Sequence, residues 1–416
     1  MVAWGFRPSE LVERALDMPA ASCAYGNVLL FDANAPRPVL STGPREADLD
    51  LRRMLRPAEP EIVRATHQLQ RKAVLIGALA VGSYGMLVFS HVGVVLRLLF
   101  AALLVVAAVA TATGIMHDGN HGAFSRSRRL NRLIGFTGDL LGGSSWLWRF
   151  KHNTLHHASP NVMGMDTDIE QMPFARLAPD QPWRPWHRAQ HVYLWFLYGF
   201  MALSWLLVSD LRTIISGREG SNPLPRRPGP VELLTMAVGK LLHLAWAVVI
   251  PLLFCPWWAV LAFYLACSWC VGFTLAVMFQ IAHCVDEADF SPSAAPRRGP
   301  RFVAHQLRST VDVHIDIPIA GRFLRWWMGG LHQQVEHHLA PRLPHTIYPV
   351  LARRLEQLCA THGLALRRHA RWRSLPTAIV ASSTGPGRRG SGWRPSRPLM
   401  IVRRSDTSSQ LSAMNP

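Results

Sequence analysis

The chain has 416 residues, 49% hydrophobic and 17% charged, with a mean hydropathy of +0.12 and a formal net charge of +18. A charged fraction below the ~25% usual for soluble domains excludes a disordered or collagen-like chain and most ordinary cytosolic enzymes. The basic residues lie mostly between long apolar runs, which favours a polytopic membrane protein over a nucleic-acid partner. Only Lys72, Lys151 and Lys240 of the 44 basic residues are lysines, a bias that points to a GC-rich bacterial genome.

Residues 1–60 are irregular, rich in Pro, Arg and Asp, and carry no apolar core of a signal peptide. The stretch 61–72 is a polar helical lead-in. Two apolar runs follow, 73–90 and 92–113, each close to the ~20 residues that span a bilayer. Their short join at Ser90-His91 predicts a tight hairpin. Residues 134–148 are apolar but short and carry Asp139 and a Gly pair, which predicts an interfacial or re-entrant segment. The aromatic-rich run 191–208 is expected to lie along the interface. A second hairpin is predicted over 232–254 and 256–280, turned at Cys255-Pro256-Trp257. Beyond residue 376 the chain is Gly, Pro, Ser and Arg without period, which predicts a disordered basic tail.

Six scattered cysteines show no disulfide framework. Cys267 and Cys270 form a C-x-x-C inside an apolar helix and read as packing. The positive-inside rule places both hairpin tips outside and both termini in the cytoplasm. The expected fold is therefore an all-α integral membrane protein. Four transmembrane helices in two hairpins carry a cytoplasmic helical cap. Three divisions follow: 1–60 as an N-terminal extension, 61–370 as the membrane domain and 376–416 as the tail.

The histidines are clustered. His117-Asp-Gly-Asn-His121 follows the second run, and on a helix i and i+4 share one face. His152-Asn-Thr-Leu-His156-His157 repeats the step with one more residue. Gln334-Val-Glu-His337-His338 follows the fourth run, and His283 lies at the end of that run. A single such pair is weak evidence. Eight imidazoles at one membrane face are strong evidence for metal, because neutral imidazole suits Zn, Fe and Cu. Eight ligands exceed one coordination sphere and fit two metals with open positions. His67, His91, His187, His243 and His369 lie outside these groups and are expected to tolerate Ala.

HDGNH, HNTLHH and QVEHH resemble the three histidine boxes of the membrane fatty acid desaturase superfamily. The stretch WRFKHNTLHHASPNVMGMDTDIE is similar to the second-box region of bacterial acyl-lipid and linoleoyl-CoA desaturases. VMFQIAHCVDEADF, HQLRSTVDV and GGLHQQVEHHLAPRLPHTIYP are similar to their downstream blocks. The resemblance spans about residues 60–370, and a third box beginning with Gln resembles the front-end desaturases. It implies a di-iron centre held by His117, His121, His152, His156, His157, His283, His337 and His338. It further implies O2 as co-substrate, an acyl-lipid or acyl-CoA substrate from the membrane, and a bacterial cytoplasmic-membrane location. No His-Pro-Gly-Gly cytochrome b5 motif is present, so a separate donor such as ferredoxin, with its reductase, is the expected source of electrons.

Two departures stand out. His332 and Gln333 occupy places where the family usually has Asn and an aromatic, which leaves open whether Gln334 or His332 completes the third box. The basic tail has no counterpart in the family. Gln334 is placed to bind a metal or to hold a metal-bound water. Asp118, Asp166 and Asp168 are candidates to orient the histidines or, equally, helix-cap and loop acids.

An unactivated C–H bond offers no acid, base or leaving group, so the hard chemistry must belong to a metal–oxygen system. A di-iron hydroxylase or ketolase would use the same histidines. A zinc hydrolase needs three or four ligands rather than eight, and a haem carrier would use paired histidines.

Overall fold

The computed structural model describes residues 55–285, 288–291, 300–315, 317–362 and 366–369. The expected tail and most of the N-terminal extension lie outside these residues. The architecture is helical, and its short strands form two two-stranded pairings, β1 (Arg218–Glu219) with β2 (Asn222–Pro223) and β3 (Asp312–Val313) with β4 (Arg368–His369).

Four helices are long and apolar enough to cross a membrane: α1 (Glu59–Phe89), α2 (Val94–His121), α8 (Pro230–Leu252) and α9 (Trp257–His283). They form the two expected hairpins. Helix α1 starts well before the apolar run, because the lead-in 61–72 continues it without a break; at ~1.5 Å per residue the helix is longer than a bilayer core is thick. Outward residues such as Val81, Val95, Leu98 and Leu241 are exposed, as lipid-facing positions are. Between the hairpins, Val109, Ala112 and Met116 of α2 pack on Leu275, Met278 and Ile281 of α9.

The expected short segment over 134–148 is broken. It includes the end of α3 (Arg128–Gly135), then α4 (Thr137–Leu140) and α5 (Ser145–Trp148). The 191–208 run falls on α6 (Pro185–Tyr198) and α7 (Met201–Ser216), which meet at a 67° bend. One cause of the bend is close packing: the backbone of Gly199 lies against the Trp269 ring and Gly272 of α9, leaving no room for a Cβ.

The remaining helices are α10 (Pro300–Ser309), α11 (Ala320–Trp327), α12 (Gln334–Leu339) and α13 (Tyr348–His362). They gather at the end of the bundle where α1 begins and α2 and α9 finish. Leu55, Ile62 and Ala65 there join Val335, Leu339, Leu343, Leu351, Leu355 and Leu358 in one core. Two glycines, Gly329 and Gly330, take positive φ (62° and 82°) just ahead of the third box. A Cβ on Gly329 would sit 2.4 Å from the Thr113 carbonyl, so only glycine lets this loop lie on α2.

Candidate metal centre

Local backbone geometry aims the histidines. The final turns of α2 include a π-helical stretch, Thr111–Met116, before the α-helical turn His117–His121. The latter brings the rings of His117 and His121 to 4.7 Å between centroids. The second box lies on a π-helical segment, Arg149–His156, closed by a bond from His157 N–H to the His152 carbonyl at 2.9 Å. The wider π turn puts i and i+5 on one face, which an α-helix would not. The Nε2 atoms of His152 and His157 consequently lie 3.2 Å apart, and those of His117 and His152 also 3.2 Å. Two ligands about 2.1 Å from one metal and at right angles would be about 3 Å apart.

All eight box and helix-end histidines are buried and come together. One nitrogen each from His117, His121, His152 and His337 falls within 4.8 Å of the others; so do those of His156, His283 and His338. His157 joins His337 and His338 in a third such group and links the other two. The arrangement is two adjoining groups of imidazoles that share one wall.

The donor set fits metal ions. His121 Nε2, His157 Nδ1, His283 Nδ1, His337 Nε2 and His338 Nε2 are buried without a hydrogen-bond partner. Each such atom costs about 1–3 kcal/mol, so five at one locus form a site whose cost a shared ligand offsets. The far ring edges of His338, His156 and His337 are held. His338 Nδ1–H donates to Gln306 Oε1 at 2.9 Å, because the Gln306 amide nitrogen is already spent on the His157 carbonyl at 3.0 Å. His156 Nδ1–H donates to Asp166 at 3.1 Å, and His337 Nδ1 meets the Tyr348 hydroxyl at 3.1 Å. An outer partner that fixes one nitrogen and frees the other is the usual dress of a metal-binding histidine.

Electrostatics agree. Burial, reinforced by neighbouring imidazoles, holds His152, His157, His337 and His338 well below the ordinary histidine range, so their lone pairs are available. His156 differs: burial opposes its protonation, but the charge and hydrogen bond of Asp166, with help from Asp168, raise it.

The three candidate carboxylates take separate places. Asp166 is fully buried and also accepts from the N–H groups of Asn161 and Asp168 at 2.9 and 3.0 Å. Asp168 is partly exposed, pairs with Lys151 at 3.0 Å and lies 3.5 Å from His156 Nδ1. Asp118 stands 3.6 Å from His117 Nδ1 and is hydrogen-bonded to His345. Gln334 is buried, lies against His283 and has an unpartnered Oε1. His332 joins none of the metal-ligand groups. It lies near Arg325 and Lys72, and burial together with those cations pushes its pKa down to about 3.

Several supporting residues carried no sequence signal. Trp148 stacks on His152 with centroids 4.3 Å apart. Asn161, in the left-handed region (φ 57°), ties the second-box loop to the carbonyls of His283 and Ser309. Gln306, Tyr348, His345 and Lys72 come from distant segments. His187 and His243, expected to be dispensable, are buried and bonded, to the Pro173 carbonyl and to Leu140 and Tyr264 respectively. Among the described residues the cysteines are free; Cys267 is half-buried, but Cys270 is exposed on the outer side of α9 rather than packed in the core.

The family description "Fatty acid desaturase" matches residues 92–370. The chain belongs to this family: it is an enzyme, an oxidoreductase that desaturates fatty acyl chains. It is 31% identical over 295 residues to an sn-1 linoleoyl-lipid 6-desaturase of Arthrospira platensis, covering 70% of this chain and 78% of that one. A protein of the same name from Synechocystis sp. is 30% identical over 298 residues, covering 70% and 81%. An acyl-lipid (8-3)-desaturase of Physcomitrium patens is 31% identical over 299 residues, covering 70% and 61%.

Proposed function

We propose that the chain is an O2-dependent front-end acyl-lipid desaturase with two irons held by His117, His121, His152, His156, His157, His283, His337 and His338. The observation that carries this is the pair of adjoining imidazole groups with buried, unpartnered ring nitrogens. The names of its relatives, which act on lipid-borne acyl chains, support the substrate class. When bound, the irons would supply the oxygen chemistry that removes hydrogen from an unactivated methylene.

The protein's own part is placement and protection. Asp166, Gln306 and Tyr348 hold ring orientation through the far nitrogens. The buried histidines and the core around α12 keep water away from the reacting carbon. Reduction requires two electrons per double bond, and a separate carrier such as ferredoxin is the proposed source. The membrane domain is assigned to 61–370. The site and both termini are assigned to the cytoplasmic side of a bacterial membrane.

Metal analysis of the purified protein tests the centre: two irons per chain and no zinc are expected, whereas zinc alone or one metal would refute it. A cysteine at Ser216, in a cysteine-free background, tests orientation. It should react with an impermeant reagent only after permeabilisation; reaction in intact cells would reverse the topology.

A further inference from the structure

A cavity of about 860 Å³ lies beside the histidine cluster. Its walls are α1 (Arg71, Lys72, Leu75), α11 (Arg325, Trp326) and the loop ahead of the third box. A short chain of contacts separates it from the metal ligands. Lys72 Nζ donates to His345 Nε2 at 2.9 Å, and His345 Nδ1–H donates to Asp118 at 2.9 Å, one residue from His117. Whatever fills this cavity has its polar end close to the reaction centre.

Three cations, Arg71, Lys72 and Arg325, stand on its wall beside neutral side chains such as Gln68, His332 and Gln333. An ammonium has three donors. Lys72 spends two, on the Trp326 carbonyl and on His345. Arg325 gives one Nη1 to the Ile315 carbonyl, which leaves most of its fork. Arg71 is exposed and has no side-chain hydrogen bond or ion pair among the described residues. The carboxylates are already engaged: Asp312 accepts from Val335 N–H at 3.0 Å, and Glu356 also has a partner. Guanidinium forks with free N–H groups match phosphate oxygens.

The rim of the cavity is greasy. Leu75 on α1 (63% exposed) and Trp326 on α11 (41%) line it. A Trp-bearing helix with interspersed Arg, set beside a spanning helix, is the chemistry of a membrane interface. An opening with this chemistry would face lipid headgroups, where a bilayer lipid could enter sideways. A soluble carrier would have no use for that apolar rim.

We propose that this cavity is the headgroup site and that it takes a phosphate-bearing acyl glycerolipid supplied by the bilayer. The proposal rests on reading the chain as an acyl-lipid desaturase and names the lipid class it acts on. A front-end enzyme needs such a site near its metals, because only a few methylenes separate the new double bond from the ester.

Binding and turnover test it separately. Native mass spectrometry of the full-length protein, offered equal phosphatidylglycerol and monogalactosyldiacylglycerol with identical chains, should show about tenfold preference for the phosphate lipid. Arg71→Gln with Arg325→Gln should abolish that preference. Arg71→Gln alone, at an exposed position, should weaken it, and Arg132→Gln on α3, outside the cavity, should not. In vesicles of each lipid, the Arg71→Gln loss should appear as a higher KM for phosphatidylglycerol. Equal retention of both lipids, preference for the galactolipid, unchanged binding in the double variant or turnover of acyl-CoA only would overturn the proposal. Selective binding without any product would instead leave the headgroup site standing and refute the desaturase reading.

Discussion

Asp118 accepts hydrogen bonds from both the backbone N–H and the ring Nδ1–H of His345, each at 2.9 Å and 227 residues away along the chain. Because the Lys72 ammonium donates to His345 Nε2, that nitrogen must accept and Nδ1 must carry the proton. The contact fastens the loop after the third box to the helix that bears His117. Asp118→Asn should lower iron affinity about 10–100-fold, as outer partners of metal-binding histidines do. Iron content after dialysis against a weak chelator is the measurement. Full retention would mean that Asp118 only braces the loop.

Replacing any of the eight clustered histidines with Ala should abolish product and reduce bound iron. His67 and His91 are exposed, and their Ala variants should keep both. His187→Ala and His243→Ala should keep iron but lose about 1–3 kcal/mol of stability, because each removes a buried, hydrogen-bonded ring. Iron per chain and thermal melting, read side by side, separate the two groups. Normal iron and activity in His283→Ala would remove that residue from the proposed ligand set.

Gln334 and His332 are distinguished by position. Gln334 is buried against His283 with its amide oxygen unpartnered, whereas His332 lines the neighbouring cavity. Gln334→Ala should lose most activity, Gln334→His should retain some, and His332→Asn should be tolerated. Product formed by the three variants decides the matter; an active Gln334→Ala beside a dead His332→Asn would reverse the assignment.

Asp139 gives a pH prediction. Burial raises its pKa to about 6, against the lowering effect of Ser145, whose N–H it accepts at 3.1 Å. A carboxyl raised by burial favours the neutral form in the folded state. Below about pH 4 it is protonated both folded and unfolded and costs nothing. The penalty then grows as pH rises and is complete above pH 6, at roughly 3 kcal/mol. Asp139→Asn keeps an acceptor for Ser145 and has no such penalty. Its melting temperature relative to the parent should rise between pH 4 and 6 and then level; a pH-independent difference would refute the account.

The spans and the boxes were legible because each rests on a local pattern. Apolar runs of bilayer length fold as helices, and an i, i+4 histidine pair shares a face wherever the helix goes. The π geometry of Arg149–His156 was not legible: its sequence differs little from an α-helical one, yet it decides that His157 as well as His156 turns inward. Nor were the supports. Gln306 meets His338 across 32 residues and Lys72 meets His345 across 273, with no spacing rule to link them. The bonding of His187 and His243 was hidden for the same reason, since their partners are carbonyls and a hydroxyl supplied by tertiary packing.

The most direct test of the central claim is to express the chain in a host that makes no polyunsaturated lipid, feed it linoleate and locate double bonds in the extracted lipids by mass spectrometry. The account predicts a new double bond between the existing ones and the carboxyl end, dependent on iron and O2 and absent from His338→Ala. A hydroxylated or keto product, a bond on the methyl side of the existing ones, or no change in the lipids would contradict it.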